Sequence, residues 1–513
     1  MTDMSRDGQV FDAVIIGGGP AGAVAARLLA TWGRSALLLT RAPARNALAE
    51  SLPPSCRKLL DRVGIADVVD SAGFMRATGN TVRWGEAAAA ARAFASGERG
   101  WQVSRDRLDR VLLDSARQAG AQVLVGASVR TVTEATARTP VGAAPHAGGG
   151  RDTGRRVVHD GPDGPVEVIA RWVIDASGRS GVAVPREWRR PAPAGRTLAL
   201  VGMWRHPRGW DLDDETHTLV ESWDEGWAWS VPVAPGERTF ALMVDPSAAA
   251  GATRDSLAGI YHREMQRTQW FRALVATGAL TAQPWACDAS AYGAACVGED
   301  GLILAGDAAT FVDPLSSYGV KKALASAWLA AIVVNTCLDE PGLAPHALGL
   351  HAARERAMYE SLSRQSAALA RDAQSAHANA FWEDRAGAPG AEAQAGSDVA
   401  ALRADPDVVA AFQSLRERAA IRVRRGDGAQ QRDQPIVRDN RIVLAAHLVS
   451  PAFREGIRYI RDIDLVTLAA MAPDFDQVPD LFDAYNRSAP PVALPDFLGA
   501  LSVLLGKGLL QHS

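Results

Sequence analysis

Lysine is scarce in this chain: Lys58, Lys321, Lys322 and Lys507 are all it has, within 55 basic residues in a total of 513. Basic character therefore rests on arginine. The arginines are scattered among 58 acidic residues to a net charge of −3, which gives no reason to expect a nucleic-acid partner. Cys56, Cys287, Cys296 and Cys337 form no C-x-x-C pair and no metal-like spacing, so a reducing, cytoplasmic setting is the simpler inference. The histidines form no cluster and no H-E-x-x-H run, so no metal is expected. The apolar run over 328–338 is too short to span a bilayer, and the first apolar strand, beginning at Phe11, leaves no room for a secretion segment. The stretch over 494–510 reads as a packed terminal helix more readily than as an amphipathic surface patch. No internal repeat is visible. With 47% hydrophobic residues, the chain is long enough for two or three domains with a sizeable core.

What is present begins with Phe11-Asp12-Ala13-Val14-Ile15-Ile16, a buried parallel strand by its unbroken apolar character, followed at once by Gly17-Gly18-Gly19-Pro20-Ala21-Gly22. Gly17, Gly19 and Gly22 fit G-x-G-x-x-G, whose glycines allow a tight turn, close approach to a pyrophosphate and close helix packing. A helix is expected over 23–32 and a second strand over 36–39, which completes the βαβ context. An acid is expected at the end of that strand to bind ribose hydroxyls, yet Thr40-Arg41 stands there. Either Thr40 or a water takes that role, or Arg41 packs on the adenosine.

A second stretch speaks to the ligand. Gly306-Asp307-Ala308-Ala309 follows the apolar Leu302-Ile303-Leu304-Ala305 and runs through Asp313-Pro314-Leu315-Ser316-Ser317-Tyr318-Gly319 into an Ala/Leu-rich helix from about Val320. In this reading a strand delivers Asp307 to a helix N-terminus. Its carboxylate accepts from sugar-like hydroxyls, while free amides favour negative charge on a reduced flavin. Alone, the run is equally an ordinary strand-to-helix turn, and Asp313 equally a plain N-cap. A third strand, Val173-Ile174-Asp175, ends in Asp-x-x-Gly at Gly178, and three such turns on three strand ends indicate one shared crevice. Arg105 opens a helix after Val103-Ser104 and is offered to the flavin or its pyrophosphate; the plainer alternative is a solvated first-turn arginine.

This order of motifs resembles the FAD-dependent monooxygenases of the group that also contains flavin-dependent halogenases and geranylgeranyl reductases, over about residues 12–329. Within the group it is most similar to flavoproteins that hydroxylate a protein-bound tryptophan during biogenesis of cysteine tryptophylquinone. Three pieces carry that likeness: Glu50-Ser51-Leu52-Pro53-Pro54; Gly79-Asn80-Thr81-Val82 with Trp84-Gly85; and Asp313-Pro314-Leu315-Ser316-Ser317 with Gly319 and Lys322-Ala323-Leu324. The resemblance implies that Ser51 covers the flavin from one side and that Asn80 and Trp84 line the substrate cavity. It also implies that Asp307 and Asp313 anchor FAD, and that Pro314, Ser317 and Gly319 hold the ring, the last two through backbone donors. Gly226-Trp227-Ala228-Trp229-Ser230-Val231-Pro232 is similar to the Trp-x-Trp-x-x-Pro signature of halogenases. Halogenases, however, use an essential lysine on the strand after the Glu-x-x-x-Pro region, and residues 74–84 contain none. Arginine is too basic and delocalised to replace that amine. Trp227 and Trp229 are accordingly read as cavity walls, the alternative being alternating strand residues with one in the core.

The expected fold is α/β plus antiparallel β: a Rossmann-like FAD-binding domain of the class A flavoprotein monooxygenase type, a β-sheet substrate domain and a small α-rich C-terminal domain. The FAD-binding domain is assigned to 1–75, 98–190 and 288–345, and the substrate domain to 76–97 and 191–287, with antiparallel strands over 216–222, 227–233 and 239–244. The C-terminal helical region covers 346–513, with a small α/β domain from about 400. It either shapes access and docks a partner or simply stabilises the fold. A Gly/Pro/Arg-rich run over 141–154 reads as a mobile loop and 386–396 as a linker. Helices are expected over 342–381, 408–420, 465–471 and 497–505, and strands over 436–444 and 457–459. The resemblance implies hydroxylation of an aromatic ring through a flavin C4a-hydroperoxide, in a closed apolar cavity walled by Trp84, Trp227, Trp229 and Phe311. The expected substrate is a tryptophan of a protein or peptide, with molecular oxygen, and NAD(P)H or a flavin reductase as electron source. Glu221, His206 and His217 are candidate bases with no choice among them. A halogenase, hydroxylase or reductase acting on a small metabolite, and a non-catalytic FAD protein that binds a partner, are the alternatives.

Overall fold

The computed structural model describes residues 7–42, 48–95, 97–135, 154–192, 195–251, 253, 256–387, 399–418 and 420–513. The run expected as a loop over 141–154 and the linker over 386–396 lie, apart from their ends, outside the described residues. The chain forms two compact units, Met1–Ala391 and Glu392–Ser513.

In the first unit, Leu302–Leu304, Gly164–Asp175, Gln9–Ile16, Ala36–Thr40 and Gln122–Val125 lie side by side as a parallel sheet. Ala13, Val14, Ile15, Leu37, Leu38, Val173 and Ile174 are fully buried, as a parallel sheet covered on both faces requires. Helix Pro20–Thr31 packs against Gly319–Asp339 and Arg105–Gln118. It starts three residues earlier than expected, because Pro20 is suited to the first helical turn, where no N–H partner is needed. It stops where Gly33 takes φ 81° and closes onto Ala30. Gly319–Asp339 is long and apolar enough to cross a bilayer, which the shorter run over 328–338 concealed, but 83% of its apolar window is buried inside the fold. It is a core helix.

A second, mostly antiparallel sheet runs in the order Ala279–Leu280, Leu198–Arg205, Glu237–Val244, Gly226–Ala234, Thr218–Trp223, Gly79–Arg83, Ala90–Ala93, with Trp285–Asp288 also paired to Leu198–Arg205. Period-2 alternation gives it two apolar faces. Leu200, Leu219, Ala228, Phe240 and Leu242 meet helices Leu257–Arg267 and Trp270–Val275, while Val201, Trp227, Ala241 and Met243 join Ala370, Ala373, Phe381 and Trp382 from helices Ala344–Gln374 and Ala380–Ala386. Both helices belong to the first unit. A small sheet of Ala49–Leu52, Gly100–Ser104 and Met75–Ala77 completes it.

The second unit packs helices Pro406–Glu417, Leu465–Met471, Val478–Ser488 and Leu494–Gly506 with a three-stranded sheet, around Phe497, Leu501, Leu504, Leu465 and Leu481. The single strand expected over 436–444 is a hairpin, Gln430–Arg438 and Arg441–Ser450, turned at Asp439 with φ 53°. Asp tolerates that left-handed conformation better than most residues.

Candidate active site

Four parallel strands end in one row. Leu304, Asp175, Ile16 and Leu39 are register partners, and the chain just beyond them is laced across: Ala305 N–H donates to Asp175 C=O (2.8 Å), Ala176 N–H to Ile16 C=O (2.9 Å) and Gly17 N–H to Leu39 C=O (2.8 Å). The three motif turns therefore leave the sheet side by side, at the carboxyl ends where ligands of open α/β sheets bind. A Cβ on Gly306 would sit 3.0 Å from Ala21 Cβ, so the Asp307 turn lies directly against the glycine turn. Asp175 is buried and organises its own loop: its carboxylate accepts the amides of Ser177 (2.9 Å) and Ala183 (2.7 Å).

The three glycines divide their work. A Cβ on Gly22 would lie 1.8 Å from Gly17 O, and one on Gly17, where φ is 105°, 2.4 Å from Ala176 O; both are excluded by protein atoms. A Cβ on Gly19 would meet only Arg105 Nη2, at 3.5 Å. The bare backbone at Gly19 thus faces space that the protein leaves open, the feature a closely approaching diphosphate requires. Thr40, where an acid was expected, is fixed by Gly18, whose N–H donates to Oγ1 at 3.1 Å. Arg41 reaches Ser180 Oγ (3.2 Å).

Arg105 is ion-paired, not a free solvated arginine. Partial burial works against its charge, but Glu50 (2.6 Å) and Asp109 (3.3 Å) more than offset this and raise its pKa. Glu50 is on the strand Ala49–Leu52 beside Ser51, and its Oε2 is 3.7 Å from where a Gly319 Cβ would stand. One chain of contacts thus joins Gly19, Arg105, Glu50 and Gly319. Glu50 was quoted in the sequence only as part of a motif; a carboxylate 55 residues before an arginine gives no sequence signal of pairing.

The loop from Asp307 to Gly319 departs from expectation. Asp307 lies in a short 3-10 turn, Gly306–Ala308, and the long helix begins only at Gly319, so Asp307 is not at that helix's N-terminus. It is held back to the helix by the buried Lys322, whose Nζ donates to Asp307 Oδ1 (3.3 Å) and to Thr310 C=O. Asp313 caps the turn Pro314–Ser316, accepting from Leu315 N–H (2.9 Å) while burial pushes its pKa up. Ser317 N–H donates to Pro314 C=O (2.9 Å), so it is not a free donor to a ring, and Ser317 itself takes φ 54°. Gly319 N–H is in the first helical turn, where intrahelical partners are lacking. The buried hydroxyls of Thr310 and Ser316 have no partner among the described residues. Orphaned hydroxyls in the loop that follows the Asp307 turn, a bare glycine backbone at Gly19 and a helix start at Gly319 fit a polar, phosphate-bearing cofactor with a ring system.

Trp84, Trp227 and Trp229 belong to one apolar cluster with Val220, Trp382 and Leu315, the last from the Asp313 loop. Trp227 and Trp229 therefore share one face, rather than alternating between core and surface. Trp84 Nε1 donates to Leu369 C=O (3.0 Å) and its ring meets Trp382 edge-on at 5.5 Å. The buried indole N–H groups of Trp227 and Trp229 have no partner among the described residues. Asn80 lies opposite Thr218 on the same sheet face, since Val82 pairs with Val220 and Val220 with Trp229. Phe311 stacks on Tyr292 (5.9 Å) beneath Arg179 (4.2 Å) and is not in this cluster. Of the candidate bases, Glu221 is spent on structure: its carboxylate accepts the amides of Gln269, Trp270 and Phe271, each at 2.8 Å. His217 Nδ1 bonds Thr81 (2.9 Å), and His206 bonds Thr277 (2.8 Å) at the surface. Among the described residues no group of three metal-ligating side chains occurs.

The family described as FAD binding domain matches residues 10–357, and the chain belongs to it. It is 28% identical over 343 residues to a tryptophan 2-halogenase from Chondromyces crocatus, across 63% of this chain and 61% of that protein, so it spans about three fifths of that relative's length. Its fold is similar to that of CmlS, a flavin-dependent halogenase (TM-score 0.72, 20% identity, 97% of this chain and 95% of the other). It is similar also to that of QhpG, a peptidyl tryptophan dihydroxylase essential for tryptophylquinone cofactor biogenesis (TM-score 0.66, 23% identity, 97% and 99%). The cofactor is FAD.

Proposed function

We propose that this chain is an FAD-dependent monooxygenase that hydroxylates a tryptophan side chain within a protein or peptide, during formation of a quinone cofactor. The observation that carries the reading is the location of the lysines. Lys322, the one buried lysine, is bound to Asp307 and Thr310; Lys321 reaches Ser55 (3.1 Å) over the Tyr318 ring; Lys507 pairs with Asp405 in the second unit; Lys58 is exposed. None lines the cavity beside Trp84, near where a halogenase needs its amine. The name borne by QhpG, matched over nearly the whole of both chains, supports the protein-bound tryptophan.

In this proposal Gly17, Gly19, Gly22, Thr40, Arg41, Ser51, Arg105, Asp307, Asp313, Pro314, Ser317 and Gly319 surround FAD, and Asn80, Trp84, Trp227 and Trp229 line the substrate cavity. Bound FAD supplies two-electron reduction and the activation of dioxygen. The chain's own residues bind, orient and exclude water. Gly19 lets the diphosphate approach backbone, with Arg105 opposite it held by Glu50 and Asp109. The buried hydroxyls of Thr310 and Ser316, without a partner among the described residues, are available to a bound polar group. The cluster around Trp84, Trp227 and Trp229 keeps water from the reacting ring, which protects an oxygen-transfer step from unproductive hydrolysis.

Halogenation of a small aromatic metabolite is the second reading, favoured by the name of the curated relative. One experiment separates the two. The FAD-loaded chain is incubated with a flavin reductase, NADH, oxygen and chloride, once with a tryptophan-bearing peptide and once with free tryptophan, and products are weighed by mass spectrometry. Oxygen gained by the peptide is the expected result. Halogen gained by free tryptophan, with no oxygen on the peptide, overturns the proposal.

A further inference from the structure

We propose that the sheet edge Ala90–Ala93 is a docking strand, on which an extended, neutral or basic segment of the protein substrate adds as one more β-strand. The identity of the partner rests on the function proposed above. Ala90–Ala93 is the last strand of its sheet and, among the described residues, pairs only with Gly79–Arg83. Phe94 N–H donates to Thr78 C=O (2.9 Å), and the register continues through Ala93 opposite Gly79 and Arg92 opposite Asn80. Antiparallel alternation then turns the backbone groups of Arg92 and Ala90 inward, and those of Ala91 and Ala93 outward. All four residues are exposed. Natural edges are blunted by charge, proline or bulges. This one carries a run of alanines over 87–91, a single arginine and no proline.

The edge also leads somewhere. A cavity of about 350 Å³ opens beside it, lined by Val82, Trp84, Ala90, Arg92, Asp372 and Ser375 among others, a volume within the range of ligand pockets. Ala90 lies opposite Val82 and Arg92 opposite Asn80, so these side chains share the face that carries Trp229. On an added strand every second side chain hangs over that same face. A tryptophan there enters the cavity against Trp84, while main-chain bonds hold the segment regardless of its neighbours, as in other strand-addition complexes. The cavity wall carries two carboxylates, Glu86 and Asp372, against the one guanidinium of Arg92, which disfavours an acidic segment.

The test uses the FAD-loaded full chain and a fluorescein-labelled peptide of alternating threonine and valine around one central tryptophan. A second peptide carries N-methyl groups on alternate backbone nitrogens of one edge, and a third on the other edge. The expected result is that one methylated edge, and the protein variant Ala91→Pro, each weaken binding about tenfold or more, at unchanged FAD content. Proline is tolerated at edge positions whose N–H faces solvent, and Ala93→Pro serves if Ala91→Pro fails to fold. Equal binding of both methylated peptides and the parent, or parent affinity in a folded proline variant, overturns the proposal. So does oxygen transfer to a protein-bound tryptophan at the parent rate by Ala91→Pro, which leaves the function standing. Backbone-dependent binding with no oxygen transferred upholds the edge and sinks the tryptophan hydroxylase reading instead.

Discussion

Replacing Gly22 and Gly19 separately with alanine should break the protein in two different ways. At Gly22 the new methyl would lie 1.8 Å from Gly17 O, about 1.2 Å inside the 3.0 Å that real contacts respect. The obstructing atom is backbone at the buried end of the strand Gln9–Ile16, so it cannot swing aside as a side chain would. Helix Pro20–Thr31 must instead shift off the sheet, losing packing along Ala23, Val24, Ala26 and Leu29. Overpacking with a yielding neighbour costs about 1–3 kcal/mol. A rigid neighbour puts Gly22→Ala at the top of that range or beyond. At Gly19 the methyl meets only the end of a flexible arginine at 3.5 Å, an ordinary contact, and because an N-cap prefers glycine to alanine the exchange costs about 0.5–1 kcal/mol. The apo protein should therefore keep most of its stability in Gly19→Ala, while FAD affinity falls about tenfold or more because the methyl occupies the ligand's approach. Urea unfolding of the apo forms and fluorescence titration with FAD measure the two effects independently. Parent FAD affinity in Gly19→Ala would refute the assignment of this turn to the diphosphate. Parent stability in Gly22→Ala would refute the packing argument.

Glu221→Ala leaves three helix-end amides, one buried and two part-buried, without their acceptor and should cost about 3 kcal/mol, with the pH profile of oxygenation unchanged in shape; a lost acidic limb in that profile would show that Glu221 works as a base after all. Trp84→Phe keeps an apolar ring but gives up the bond to Leu369 C=O, so stability should fall by about 1 kcal/mol, FAD content should hold, and product formed per NADH consumed should drop; an unchanged ratio argues that Trp84 is not part of the wall. Burial pushes the Cys56 thiol up to about 11, against the pull of Lys321, and the Cys337 thiol to about 12, from 9.0. Above pH 9 the unfolded chain therefore releases protons that the native state retains, so stability present below that pH should decline between about pH 9 and 11, and replacing Cys56 with alanine should flatten the decline in pH-dependent denaturation curves.

The parts of the fold and site that could be read in the sequence are those where local chain chemistry alone decides the geometry. An unbroken apolar strand into Gly17-Gly18-Gly19 can do little but turn tightly, and the alternation at Trp227 and Trp229 marks a sheet with two faces. What the sequence concealed lies in the loop over 310–318 and in pairings across long chain separations. Asp313 accepts an amide two residues away, a local bond that competes with any ligand and that its residue type foretold. The Ser317 N–H is spent on Pro314 C=O because its left-handed conformation closes that turn. The pairing of Lys322 with Asp307 was invisible because it depends on a helix starting twelve residues beyond the aspartate and folding back over it. That last contact bears most on the chemistry. A buried ammonium is tolerated only where its hydrogen bonds are satisfied, and here a carboxylate and a carbonyl satisfy it. An amine held by two acceptors on a buried side chain is positioned beside Asp307 and Thr310, so the charge that the fold buries there is better suited to fixing the cofactor's surroundings than to carrying a halogen.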